Sequence, residues 1–111
     1  MTSLTKARKE KIDFIIKLEK ARCENSWDYE RNCEYKHLKS AKRNAKIESI
    51  IDKKIDSLWN SIVKSCKVER QWDLPTEIRD YHNERYNNIK YDRFNNYERD
   101  LENLGLKLPK R

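Results

Sequence analysis

Glycine and proline are almost missing from this chain: one glycine, Gly105, and two prolines, Pro75 and Pro109, in 111 residues. Hairpins and sandwiches need such turn residues at short intervals, so a sheet-rich fold is excluded. A glycine-rich phosphate cradle is excluded for the same reason. Long apolar runs are missing too. The longest is Phe14-Ile15-Ile16, against the roughly 20 residues that span a bilayer, so no membrane association is expected. The three cysteines, Cys23, Cys33 and Cys66, are odd in number and lack CxxC spacing. No secretory leader is evident, and the expectation is reduced thiols in a cytoplasmic setting. Apolar residues make up 36%, below the ordinary ~45–50%, so an elongated helical shape or a core completed by a partner fits better than a thick globule.

Charge and helical periodicity fill the space left by these absences. Charged residues are 41% of the chain, with 26 Lys and Arg against 19 Asp and Glu. Leu4, Ala7, Ile12, Ile15, Ile16 and Leu18 recur at helical spacing and predict a helix over 3–24. Ser26 is a fitting N-cap, with Asp28 and Glu30 in the first turn after it, and nothing from Trp27 to Lys67 is a helix breaker. A second helix is therefore predicted over 27–67, its apolar stripe running Trp27, Leu38, Ala41, Ala45 and then Ile47, Ile51, Ile55, Leu58, Ile62, Cys66. The first half of this stripe is poor in bulky side chains, which makes Asn44 to Lys46 the place where the helix would kink or break. Glu69 to Thr76 reads as a loop, a third helix follows over 76–104, and Gly105 is its left-handed cap before an extended basic tail, 106–111. The expectation is one all-α domain: an elongated hairpin or bundle of three helices, or four if the long central helix breaks. The dense patch of Ile47, Ile51, Ile55, Leu58, Trp59 and Ile62 is expected either to make a homodimer or to be hidden by the first and third helices.

Two side-chain constellations point to binding. Between Glu34 and Glu48 there is no acid, while Lys36, Lys39, Lys42, Arg43 and Lys46 follow one another at spacings of three and four. On one helix they share a face that can track a phosphate backbone. Residues 1–70 hold 18 basic and 11 acidic side chains and residues 71–111 hold 8 of each, so the whole positive excess lies in the first two helices. In the last helix, Ile78, His82, Tyr86, Ile89, Tyr97, Leu101 and Leu104 form an inward face, and His82 is expected to be a satisfied core histidine. Tyr81, Arg85, Asn88, Tyr91, Asn95 and Arg99 share the outward sector, a composition suited to protein contact.

Chemistry beyond binding finds little to work with. Cys33 and His37 stand at i and i+4, but further ligands come only at irregular separations, so no metal site is expected. Carboxylates are spread among Lys and Arg at ion-pair spacing, without a paired acid and base. No cofactor and no enzymatic activity are expected. The excess of Lys, Asn, Ile and Tyr is what an AT-rich gene produces. The reading is a non-enzymatic protein that engages nucleic acid or a nucleoprotein complex through its basic helical face. The alternative is a small phage-type inhibitor or adaptor, of the host-takeover or anti-CRISPR kind, that blocks a host protein through the Tyr/Asn/Arg face. Similar size and charge occur among ribonucleoprotein subunits and phage inhibitors, an analogy that carries no function by itself.

Overall fold

A computed structural model describes residues 3–88 and 96–110. The described residues are helical without strands: α1 (Lys6–Glu34), α2 (Leu38–Ser65), a 3-10 turn (Gln71–Asp73), α3 (Thr76–Asn88) and α4 (Tyr97–Asn103). The molecule is elongated, 53 × 26 × 23 Å. α1 and α2 form an antiparallel hairpin over its full length, and α1 also packs against both α3 and α4. The first helix, rather than the expected central one, is thus the element against which the other described α-helices all pack, while the 3-10 turn rests on α2.

The break between the first two helices lies elsewhere than the sequence suggests. α1 runs straight through Ser26, because Asn25 beside it is buried and bonded across to α2, and a mid-helix serine costs only a few tenths of a kcal/mol. The chain turns instead at Tyr35, Lys36 and His37. Cross-helix contacts set this position: Arg8 to Ser65, Lys11 to Ser61 and Arg22 to Asp52 are each centred close to Lys36. Asn44 to Lys46 lies inside α2 without interruption. Lys36 adopts φ 59°. The N–H of His37 donates to the Asn32 carbonyl and that of Lys36 to Cys33, the two bonds of a Schellman cap. α2 ends the same way, with Lys67 at φ 56° and Val68 N–H bonded to the Val63 carbonyl. Gly105, at φ 92°, supplies the expected third instance after α4. Two of the three left-handed caps are therefore lysines, invisible to a reading that looks for glycine.

The core fills the middle and far end of the hairpin. Ile12, Ile15, Ile16 and Leu18 of α1 meet Ile51, Ile55, Trp59 and Ile62 of α2. Leu74, Ile78, Leu101 and Leu106 close over them. The patch that could have faced a second copy is covered within the chain, which removes the sequence-based reason for a homodimer. Leu106 is buried and Leu108 packs against the core, so the tail is not a free basic arm. The predicted helix over 76–104 is likewise divided. Asn96 has extended backbone and its side chain accepts from the Glu98 and Arg99 N–H groups, the geometry of an N-cap that starts α4 afresh. Ile89 lies outside the described residues.

His82 docks α3 on α1. Its Nε2 lies 2.6 Å from Glu19 Oε1, and its ring meets Trp59 edge-on and Tyr86 at a tilt. The Glu19 hydrogen bond raises the imidazole pKa above its ordinary value against an opposing cost of burial. A raised folded-state pKa stabilises fully below the unfolded value near 6.5 and is lost as pH rises through the folded value. The melting temperature should therefore fall as pH rises above about 6.5, and His82→Gln should flatten that fall; an identical pH profile for both proteins would refute the linkage. Lys67→Gly should raise stability by about 0.5–1 kcal/mol in urea unfolding, since it relieves a left-handed side chain; an unchanged or lower midpoint would count against this.

Candidate nucleic-acid interface

Near the hairpin turn the two long helices face each other through amides instead of aliphatic side chains. Asn25 and Asn44 are 1% and 5% exposed. Asn25 Nδ2 donates to the Asn44 carbonyl at 2.8 Å, and Asn44 Nδ2 donates back to Asn25 Oδ1 at 2.8 Å. Asn32, two helical turns further along α1, donates to Asn44 Oδ1 at 2.6 Å. Tyr97 of α4 covers this clasp, its hydroxyl donating to Asp28 Oδ2 at 2.7 Å. Burial first, and the Asp28 contact second, push the Tyr97 phenol well above its ordinary pKa, so it stays a neutral donor.

Above this amide floor lies an open groove of about 640 Å³. One wall is Asp28, Arg31 and Asn32 of α1; the other is Lys39, Lys42, Arg43 and Lys46 of α2; Glu98, Pro109 and Lys110 border it from α4 and the tail. Its two acids are both engaged. Asp28 pairs with Arg31 at 2.8 Å. Glu98 pairs with Arg43 at 2.6 Å, both side chains mostly buried, and Arg43 Nε also donates to the Pro109 carbonyl. Lys39, Lys42, Lys46 and Lys110 are exposed and have no ion-pair partner among the described residues. α2 starts at His37 with no side-chain cap and no acid in its first turn, so the positive end of its dipole adds to the same field.

The five predicted cations thus separate. Lys39, Lys42 and Lys46 share the groove wall. Arg43 shares it too, but it is a structural clamp whose charge is met by Glu98. Lys36 precedes α2, at the hairpin turn, and is not on that helix face. Arg31 and Lys110 join the groove without having been singled out in sequence; the signal for Arg31 was its i,i+3 spacing from Asp28, while Lys110 is brought in only by the folding back of the tail.

The predicted protein-contact face is not one surface. Tyr81 is half-buried, and its hydroxyl donates to Asp13 at 3.1 Å. Three residues on from buried Ile78, it is drawn onto α1 rather than turned outward. Arg85 is exposed but reaches the same Asp13 at 3.4 Å. Asn88 is exposed on α3 and Arg99 on α4, which are separate helices. Tyr91 and Asn95 lie outside the described residues. Cys33 and His37 fall on either side of the Lys36 turn, so they do not share a helical face. No group of three or more metal-ligating side chains occurs among the described residues, and none of their helices is long and apolar enough to cross a membrane.

The amide clasp makes a direct energetic prediction. Asn44→Leu leaves the bond from Asn25 Nδ2 to the main-chain carbonyl of residue 44 but removes the donor to buried Asn25 Oδ1 and the acceptor of Asn32 Nδ2, and should cost about 1–3 kcal/mol in urea unfolding. Asn25→Leu combined with Asn44→Leu should cost clearly less than the two single changes added together, because both partners are then apolar. Strict additivity would show that the two side chains do not act as a pair.

The chain matches no family model, no curated protein and no solved structure at a significant level. Its function has to be read from the chemistry of the groove.

Proposed function

We propose that this protein is a non-enzymatic binder of nucleic acid, alone or within a nucleoprotein complex, and that the groove beside the hairpin turn is its contact site. The observation that carries this reading is the convergence of four lysines without ion-pair partners among the described residues, in a groove whose two acids are already neutralised by arginines. Like charges held together destabilise a fold unless an anion meets them. A phosphate backbone supplies repeated anions along a line, and each contact gains from released counterions. Arg43 supports the site by fixing α4 and the tail against α2, which brings Lys110 to the same opening.

The inhibitor or adaptor alternative draws less support, because Tyr81 and Arg85 are both occupied by Asp13. Lys39→Glu, Lys42→Glu and Lys46→Glu together should abolish retention of a labelled oligonucleotide at low salt while leaving the helical circular dichroism unchanged. Wild-type affinity should fall with salt, with a log–log slope of roughly −3 to −4 if about four phosphates are met. A folded triple variant that binds as well as wild type would defeat the proposal, as would no retention of DNA or RNA at low salt.

A further inference from the structure

We propose that the groove takes an unpaired nucleic-acid strand in preference to a duplex, and that Tyr35 is the platform on which one base stacks. This rests on the nucleic-acid reading above and adds to it the form of the ligand.

The first observation is an aromatic ring where folding gives no reason for one. Tyr35 is 65% exposed. Its side chain has no hydrogen bond, ring contact or cation–π partner among the described residues, unlike those of Tyr81, Tyr86 and Tyr97. Leu38, across the turn, is 61% exposed. Single exposed apolar residues are common, but these two flank the hairpin turn, next along the chain to the groove-lining Arg31 and Asn32 on one side and Lys39 on the other.

The second is placement. Tyr35 is the C-cap of α1, with φ −91° and ψ 12°, close enough to helical to continue the helix face. It stands four residues after Arg31 and seven after Asp28, the spacing that keeps side chains on one face. Tyr35 therefore extends the α1 wall toward the hairpin turn, while Lys39, Lys42 and Lys46 step away along the α2 wall. Tyr97, Glu98 and Pro109 also line the groove, the latter two held by Arg43.

The third is shape. About 640 Å³ of concave space between two helices suits a ligand of one or a few nucleotides. Duplex recognition works the other way round, with a protein helix or ribbon protruding into the groove of the nucleic acid. Here the basic side chains line a recess, so a thin strand can meet them more fully than a rod can. A basic channel ending in a free aromatic ring is the combination by which proteins hold single strands without strong sequence preference.

The test is fluorescence anisotropy at low salt with three labelled probes of fifteen positions: oligo-dT, oligo-U and a mixed-sequence DNA duplex. At least one single strand should bind ten-fold or more tighter than the duplex. Tyr35→Ala should weaken that strand by about 5- to 100-fold, as loss of one stacked base does. Tyr35→Trp should restore it, and duplex binding should move little with either change. The exposure of Tyr35 predicts an unchanged melting temperature for the variants, which keeps a binding loss separate from unfolding. Duplex binding as tight as single-strand binding, or single-strand binding indifferent to Tyr35→Ala, would overturn this inference while the groove reading stands. Binding of none of the probes would overturn both.

Discussion

The reciprocal hydrogen bonds between Asn25 and Asn44 are the constraint from which the rest of the structure follows. Both side chains are buried, with Asn25 Nδ2 donating to the Asn44 main-chain carbonyl and Asn44 Nδ2 donating to Asn25 Oδ1, so the two long helices are fixed in a single register. A slip of one residue would leave both amides without partners at a cost of about 1–3 kcal/mol each. Aliphatic contacts between α1 and α2 are more forgiving, since isoleucines tolerate small shifts that amides do not. With the register set, the turn must fall at Lys36, Asn32 reaches Asn44, and Tyr97 has a polar edge on which to dock α4. The floor of the groove is this same set of side chains.

Division of labour along the hairpin explains how so small an apolar fraction suffices. Ile12 to Leu18 and Ile51 to Ile62 supply the bulky burial between the two long helices, in the middle and far end of the molecule, and Leu74, Ile78, Leu101 and Leu106 add to it from outside the hairpin. Toward the turn, α2 contributes only Ala41 and Asn44 to the interior before Ile47. Small and amide side chains there leave room between the helices, and the space is closed from the side by α4 and the tail. Arg43 is the residue that makes this closure specific. Its guanidinium binds Glu98 while its Nε holds the Pro109 carbonyl, a forked geometry that a lysine at the same position cannot reproduce. The lysines around it have no such assignment.

The sequence discloses the apolar half of the molecule well and the polar half poorly. Spacing alone places Ile47, Ile51, Ile55 and Ile62 on one buried face, puts His82 against the core, and identifies Gly105 as a cap, because each depends on a local rule. The end of α1 is hidden for a physical reason. Lys36 and Lys67 hold left-handed conformations that local propensity disfavours, and only the packing of the hairpin imposes them. Asn44 misleads in the opposite direction: the scarcity of bulky side chains before it is taken as a sign of a break, whereas Asn44 is itself buried against Asn25 inside an unbroken helix. The cation run is legible as charge but not as geometry. Nothing in the spacing of Arg43 separates it from Lys42 and Lys46, and only Glu98, 55 positions later in the chain, does so.

The same comparison bears on why the lysines remain unmatched. This chain readily pairs charges elsewhere: Arg22 with Asp52, Arg85 with Asp13, Arg70 with Asp73 and His82 with Glu19. Acids are therefore available and are used wherever helices meet. Along the groove the only two among the described residues, Asp28 and Glu98, are engaged by arginines, and the stretch from Tyr35 to Ile47 contains none. Exposed lysines in general need no explanation, because solvent satisfies them. Lysines gathered on both sides of one recess, beside the uncapped start of α2, concentrate a field that lowers stability and serves no contact within the described chain. An anionic ligand of the kind proposed above would reverse that balance, and the recess it would enter is framed by the same helices that the amide clasp holds in register.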